Sequence, residues 1–343
     1  MGLGLLVMGT LAARPQTSVH GAGSTGGHGW TPAPRSTFQW QLSGTINLSP
    51  SADVYDVDLF DTPAATVMAL HQRGRHVICY VSVGSYEDWR PDAARFPRSV
   101  IGKPYQGWSG EWWLDVRNIA ALAPLMRARL DLCKAKGFDA VEPDNIDGYQ
   151  AEGGTGFPLT AGDQLRYNRW VAAEAHRRGL SIGLKNDSDQ ATLLAPQFDW
   201  VLTEDCFQQG WCAREQPFLA MHKAVFATEY TDVTDRRTFD RSDCPRALQL
   251  GISLIYKHRT LDLWRTTCAG RSKSRISTIS PLKAESAAAE QNLTRRRAVA
   301  PGRATPPRAC ASAPPRQSLR CSPLRPPRPN APRRQEIVPP LAR

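Results

Sequence analysis

Eight short apolar runs between residues 38 and 268, many separated by segments with helical patterning, predict an α/β fold: a single-domain (β/α)8 TIM barrel. Two further observations support this class. Glycines stop the helical patterns one to a few residues before the next apolar run. The Gly-rich phosphate loop usual after the first strand of a doubly wound sheet is missing.

The predicted strands cover residues 38–42, 54–59, 76–83, 138–144, 181–186, 198–204, 224–229 and 251–256. Most are four to eight residues long, as strands should be. Helical patterns cover 64–74, 121–137 and 161–179, ending at Gly74, Gly137 and Gly179. Residues 1–37 read as a leader and a Gly/Ser/Pro-rich linker, 38–268 as the barrel and 269–343 as a tail.

The whole chain carries a net charge of +11, which suggests a nucleic-acid partner until its location is examined. Residues 269–343 hold 16 Lys+Arg against 3 Asp+Glu, and 13 of the 27 prolines. The remaining residues 1–268 are mildly acidic, at −2. The tail lacks strand or helix periodicity and has too little apolar area to offset the entropy of ordering, so it is expected to be disordered. Nucleic acid is not an expected partner of the barrel, and binding by the tail is a separate alternative.

Among the eight cysteines, Cys79 and Cys133 fall in apolar contexts and read as buried thiols. Cys206 and Cys212 are near enough in sequence to close a small loop, Cys244 and Cys268 bracket the last predicted strand and helix, and Cys310 and Cys321 lie in the tail. No CxxC spacing and no clustered His suggest a metal site. The apolar start MGLGLLVMGTLAARPQ resembles an export signal but has no basic residue before its apolar run. It is too short to span a bilayer. Together with two late disulfides, it leads to the expectation of a secreted protein with no membrane partner.

The segment FDAVEPDNIDGY (138–149) starts as a core strand and ends in carboxylates. Side chains alternate along a strand, so Ala140, Glu142 and Asp144 share a face. In a barrel that face points inward, and the strand's C-terminal end opens onto the active-site mouth. Other segments repeat the pattern: Asp56 and Asp58; Trp113 and Asp115; Lys185, Asn186 and Asp187; Glu204 after Trp200 and Leu202; Glu229 and Tyr230. Crowding carboxylates at one mouth raises their pKa values and costs stability, so a purely structural barrel has no reason to do it.

Two carboxylates across a cleft suit glycoside hydrolysis, one as acid and one as base or nucleophile. Asp144 and Glu204 are the chosen pair. Trp40, Tyr80, Trp89, Trp113, Tyr149 and Tyr230 are aromatic candidates for stacking on sugar rings. Structural readings stand beside these. Glu142 could be a buried partner of Lys185, Asp56 and Asp58 could be turn or cap residues, Asp147 could cap a turn before Gly148, Asp139 could pair at a strand start, and Trp200 could be core. Lys185 could instead be a Schiff-base nucleophile. The acids around it favour a protonated, ion-paired lysine.

The blocks WQLSG (40–44), VYDVDLFDT (54–62), GRHVICYVSVGSYEDWRPDA (74–93), GFDAVEPDNIDGY (137–149), GFPLTAGDQLRYNRWVAAEAHRRGLSIGLKND (156–187), TEDCF (203–207) and FATEY (226–230) together resemble glycoside hydrolase family 114, the endo-α-1,4-polygalactosaminidases. The likeness runs from about Phe38 to Cys268. It implies a secreted TIM barrel, without a cofactor, that cuts α-1,4-linked galactosamine polymers internally. Such polymers are cationic when not acetylated, which agrees with the acidic barrel. The resemblance puts the catalytic acids on Asp144, or on Asp147 in the same block, and on Glu204. It makes Cys206–Cys212 the family's disulfide. It implies that Trp40, Asp56, Asp58, Tyr80, Glu142, Asn145, Asp147, Tyr149, Lys185, Asn186, Glu229 and Tyr230 line the sugar subsites, to which the strand-end pattern adds Trp113 and Asp115. The rival readings are a non-catalytic carbohydrate-binding barrel and a Lys185 Schiff-base lyase or aldolase.

Overall fold

A computed structural model describes residues 29–268. The predicted tail, its two cysteines and most of the leader lie outside the described residues. In chain order the strands are β1 (Phe38–Gln41), β2 (Val54–Asp58), β3 (His76–Ser82), β4 (Ser85–Glu87), β5 (Ile101–Pro104), β6 (Glu111–Leu114), β7 (Ala140–Asp144), β8 (Ser181–Lys185), β9 (Trp200–Glu204), β10 (Val225–Tyr230), β11 (Ser253–Lys257) and β12 (Arg265–Thr267). The helices are α1 (Ala64–His71), α2 (Ile119–Lys136), α3 (Ala161–His176), α4 (Ala191–Leu194), α5 (Cys206–Gln209), α6 (Gln216–Ala220), α7 (Arg236–Thr238) and α8 (Cys244–Leu250).

The main sheet runs β1-β2-β3-β7-β8-β9-β10-β11-β12, and every pair but the last is parallel. This is the nearly closed wall of a TIM barrel. Residues 261–265 help to close the seam between β11 and β1. Leu42 N–H donates to the Leu261 carbonyl at 2.9 Å, Gln39 Nε2 donates to the Leu263 carbonyl at 2.9 Å, and the Arg265 guanidinium donates to the Phe38 carbonyl. The eight predicted strands are the eight parallel strands, with ends displaced by at most two residues.

Alternation along the strands builds two cores. Tyr55, Val57, Val77, Val141, Ile182 and Val201 belong to the larger core together with Leu122, Met126 and Val171 of α2 and α3. Phe38, Val54, Ile78, Ala140, Trp200, Phe226 and Ile255 form the smaller core. The Trp200 ring sits over Gly183, where an added Cβ would lie 2.4 Å from a ring carbon. A glycine is required there because the indole occupies the room of a side chain.

The longer helices start and stop for local reasons. Thr160 and Asp163 form a capping box at the start of α3. Gly137 and Gly179, with φ of 91° and 67°, turn the chain after α2 and α3 in the left-handed region. The three short connections after β8, β9 and β10 carry only short helical pieces, so no long amphipathic pattern marks them in the sequence.

Between β3 and α2 lies a three-stranded antiparallel sheet of order β4-β6-β5. The segment EWWLDV (111–116) belongs to this side sheet and not to the barrel. Arg90 ties the sheet to β2, contacting Asp58 at 2.7 Å and Glu87 at 2.8 Å. Cys79 and Cys133 form a disulfide between β3 and α2, which corrects their reading as free thiols. Cys206–Cys212 and Cys244–Cys268 are also bonded.

Candidate active site

The C-terminal ends of β1, β3, β7, β8, β9 and β10 surround a cleft of about 490 Å³. Lys185 stands at its centre with 2% of its side chain exposed. Its Nζ donates to Glu142 Oε1 at 2.8 Å and Asp144 Oδ1 at 2.9 Å, and lies 3.2 Å from Glu204 Oε2. Below it the Trp40 ring lies 4.7 Å away, so the ammonium is also held over an aromatic face. Burial alone would strip the proton from Lys185, but Asp144, Glu142 and Glu204 outweigh it and raise its pKa. A lysine held as an ammonium is a poor nucleophile for a Schiff base.

Asp144 is fixed from three sides. Besides Lys185, it accepts from Tyr80 Oη at 2.8 Å and from the Asn145 backbone at 2.9 Å. Burial pushes its pKa up, yet Lys185 and these donors prevail and hold it below the usual carboxylate value. Glu204 accepts from Tyr230 Oη at 2.5 Å, and its backbone N–H donates to Asn186 Oδ1 at 2.9 Å. Both carboxylates reach solvent, Asp144 at 18% and Glu204 at 25% side-chain exposure.

The residues after β7, β8 and β9, which carry Asp144, Lys185 and Glu204, adopt left-handed backbone: Asn145 (φ 63°), Asn186 (52°), Asp187 (33°) and Asp205 (54°). Asn and Asp bear this conformation best among residues with a Cβ. Their side chains then work locally. Asn145 Nδ2 donates to Ser82, Ser85 and Glu111, joining β7 to the side sheet. Asp187 accepts from Tyr149 Oη at 2.9 Å and Asn168 Nδ2 at 3.0 Å. Asp205 pairs with Arg259 at 2.9 Å, and that guanidinium lies over the Tyr230 ring.

The rim is acidic. Burial, reinforced by the Asp144 charge, raises Asp147 to about 6, and burial raises Asp187 to about 8 and Asp205 to about 6. Such groups gain most from a cation that keeps them ionised. Among the described residues, no group of three His, Cys, Asp or Glu is arranged to hold a metal ion.

The profile for Glycoside-hydrolase family GH114 matches residues 22–273. The chain belongs to this family. It is therefore a glycosidase. Among solved structures, this GH114 chain is similar to Ega3 of Aspergillus fumigatus, determined as a complex with galactosamine. The identity is 34% and the TM-score 0.67, over 72% of this chain and 100% of that one. The glycoside hydrolase domain of PelA from Pseudomonas aeruginosa is 16% identical at a TM-score of 0.56, over 68% of this chain and 99% of that domain, a likeness of fold alone. No curated protein sequence matches the chain.

Of the residues expected at the sugar subsites or in catalysis, the GH114 barrel brings Trp40, Tyr80, Asp144, Asn145, Asp147, Lys185, Asn186, Glu204 and Tyr230 to the cleft wall. The others sit elsewhere. Asp56 and Glu142 are fully buried beneath Lys185. Asp58 is bound to Arg90, and Asp115 to Arg117 at 2.7 Å. Trp113 packs behind Tyr105, with ring centroids 4.4 Å apart. Tyr149 contacts Asp187. Glu229 accepts from the Phe207 and Gln208 N–H groups at the start of α5. These groups position the wall without forming it.

Tyr105, Trp108 and Glu111 come from the side sheet and its turns, and Gln209, Trp211 and Arg214 from the β9–β10 connection. Arg259 and Leu261 follow β11. None of them was expected from the strand pattern. The available signal was a tryptophan directly after a glycine, in QGW (106–108) and QGW (209–211).

Proposed function

We propose that the chain cuts α-1,4-linked galactosamine polymers internally, with Asp144 as nucleophile and Glu204 as acid and base. The observation that carries the reading is the shared contact of both carboxylates with one ammonium. Asp144 Oδ1 and Glu204 Oε2 lie 2.9 and 3.2 Å from Lys185 Nζ, so they can be no more than 6.1 Å apart. Retaining glycosidases place their carboxyls about 5–5.5 Å apart and inverting ones about 6.5–9.5 Å. The bound favours retention. The ionised character of Asp144 supports it as nucleophile, and the more exposed Glu204 is open to water, as the acid and base must be. Asp147 stands in the same cleft after β7, but it lacks Asp144's contact with Lys185 and the stabilisation of its anion.

The substrate follows from the acidic rim, from the aromatics Tyr105, Trp108 and Trp211, and from the galactosamine complex of the related Ega3. The three disulfides support a secreted enzyme. The test is incubation with deacetylated galactosamine polymer, reading product sizes by mass and the anomeric form of the first product by NMR. We expect mixed oligomers with retained configuration. Asp144→Asn should lower kcat by at least about a thousandfold with the melting temperature little changed. Near wild-type turnover by that variant would remove Asp144 from the reaction. Binding without release of reducing ends would instead favour a carbohydrate-binding barrel.

A further inference from the structure

Two carboxyl groups lie beneath the cleft, one on β2 and one on β7. Asp56 and Glu142 are each 0% exposed. They are within hydrogen-bonding reach of one another. Lys185 has three N–H donors. Glu142 Oε1 and Asp144 Oδ1 accept from two of them, and Glu204 Oε2 lies 3.2 Å from the ammonium as an ion-pair partner. Both oxygens of Asp56, and Oε2 of Glu142, meet no donor among the described residues. Were Asp56 ionised, the ammonium would face four carboxylates, and a buried anion would stand without any partner. That arrangement is too costly to persist, since a buried charge must be paired or neutralised.

We infer that Asp56 and Glu142 share one proton, carried by Asp56 and donated to Glu142 Oε2, and that this pair is the positioning device that seats Lys185 between Asp144 and Glu204. The inference rests on the assignment of Asp144 and Glu204 as the working carboxylates. The pair holds one proton and one negative charge. The charge draws the ammonium down onto Glu142, which leaves it donating to Asp144 at 2.9 Å and 3.2 Å from Glu204. The groups facing this assembly are Asp144 on β7, Lys185 on β8, Glu204 on β9 and Tyr80 on β3, whose hydroxyl is bound to Asp144. Burial, with the Glu142 charge beside it, raises the pKa of Asp56 well above the ordinary carboxyl value, in agreement with this proton count.

An amide cycle tests the inference. Asp56→Asn has the shape of the protonated acid and keeps a donor toward Glu142. Glu142→Gln lets Asp56 ionise while the new amide donates to it. Each single variant therefore keeps one negative charge, and only the double variant has none. We expect kcat of D56N within about threefold of wild type and E142Q within about tenfold. The double variant should lose more than about a hundredfold, well beyond the product of the single losses. It should also move the acidic limb of the pH profile down by about half a unit or more, because a negative charge near Asp144 is gone. Losses that simply multiply, or an acidic limb moved down in each single variant as well as in the double, would show two ionised groups and overturn the inference. A second readout needs no substrate. Infrared difference spectra of wild type minus D56N at neutral pH should show the carbonyl stretch of a protonated carboxylic acid, and its absence would overturn the shared proton whatever the enzyme cleaves. If the band is present but polymer is not cut by wild type, the galactosamine-polymer reading has failed and the proton assignment stands.

Discussion

Asp147 illustrates how one residue can be read by its surroundings. It is partly buried on the cleft wall, and its carboxyl is raised to about 6 by burial and by the Asp144 charge. A cationic sugar bound nearby favours its ionised form. The sign follows directly: below pH 6 the group is mostly protonated and attracts a cation weakly, and above it the charge is present. KM for deacetylated galactosamine polymer should therefore fall by about three- to tenfold between pH 5 and pH 7. In Asp147→Asn that dependence should flatten, with kcat reduced far less than in Asp144→Asn. Initial rates across the pH series for both enzymes would check this. An unchanged KM profile in D147N would place the pH dependence on Asp205, which is also raised to about 6.

Strands transmit constraints between core and cleft. On β8, Gly183 leaves room for the Trp200 ring and Lys185, two residues on, carries the ammonium on the same face. Gly183→Ala would drive a methyl into that ring, whose closest atoms would lie 2.4–2.5 Å away. The indole is packed against Phe226 and has little room to yield. The expected cost is about 1–3 kcal/mol in urea unfolding, with kcat lowered as well because the displaced strand carries Lys185. A variant as stable and active as wild type would show that the barrel interior repacks freely. The strands themselves were legible because short apolar runs alternate with helical patterns along the chain. Asp144, Glu204 and Lys185 followed from alternation alone. Asp56, Asp58, Asp115 and Glu229 obey the same alternation, yet the cleft does not include them. Partners such as Arg90 and Arg117, or burial depth, decide that, and neither is local in sequence. Trp108 and Trp211 lie in turns, where no period announces which way a ring will face.

At the scale of the whole molecule, the disulfides divide their work between stability and the cleft. Cys79–Cys133 closes a loop with a sequence separation of 54 and ties β3 to α2. That loop contains the side sheet, so the cross-link restrains a large part of the unfolded chain. A loop-entropy argument assigns it about 4 kcal/mol, a large share of the roughly 5–15 kcal/mol that a folded domain commonly has. Cys206–Cys212 spans a sequence separation of only 6, from the base of α5 past Trp211. Its closure removes less entropy from the unfolded state, but it fixes a tryptophan in the cleft wall. The Cys79→Ala/Cys133→Ala variant should therefore melt well below wild type while keeping its KM at temperatures where it remains folded. The Cys206→Ala/Cys212→Ala variant should show the reverse balance, with a smaller fall in melting temperature and a KM several-fold higher for polymer. Thermal melts paired with steady-state kinetics on both variants separate the two roles. Equal effects on melting and KM in the two variants would mean that the cross-links act on one cooperative unit. The cleft wall would then have no stability separable from the barrel beneath it.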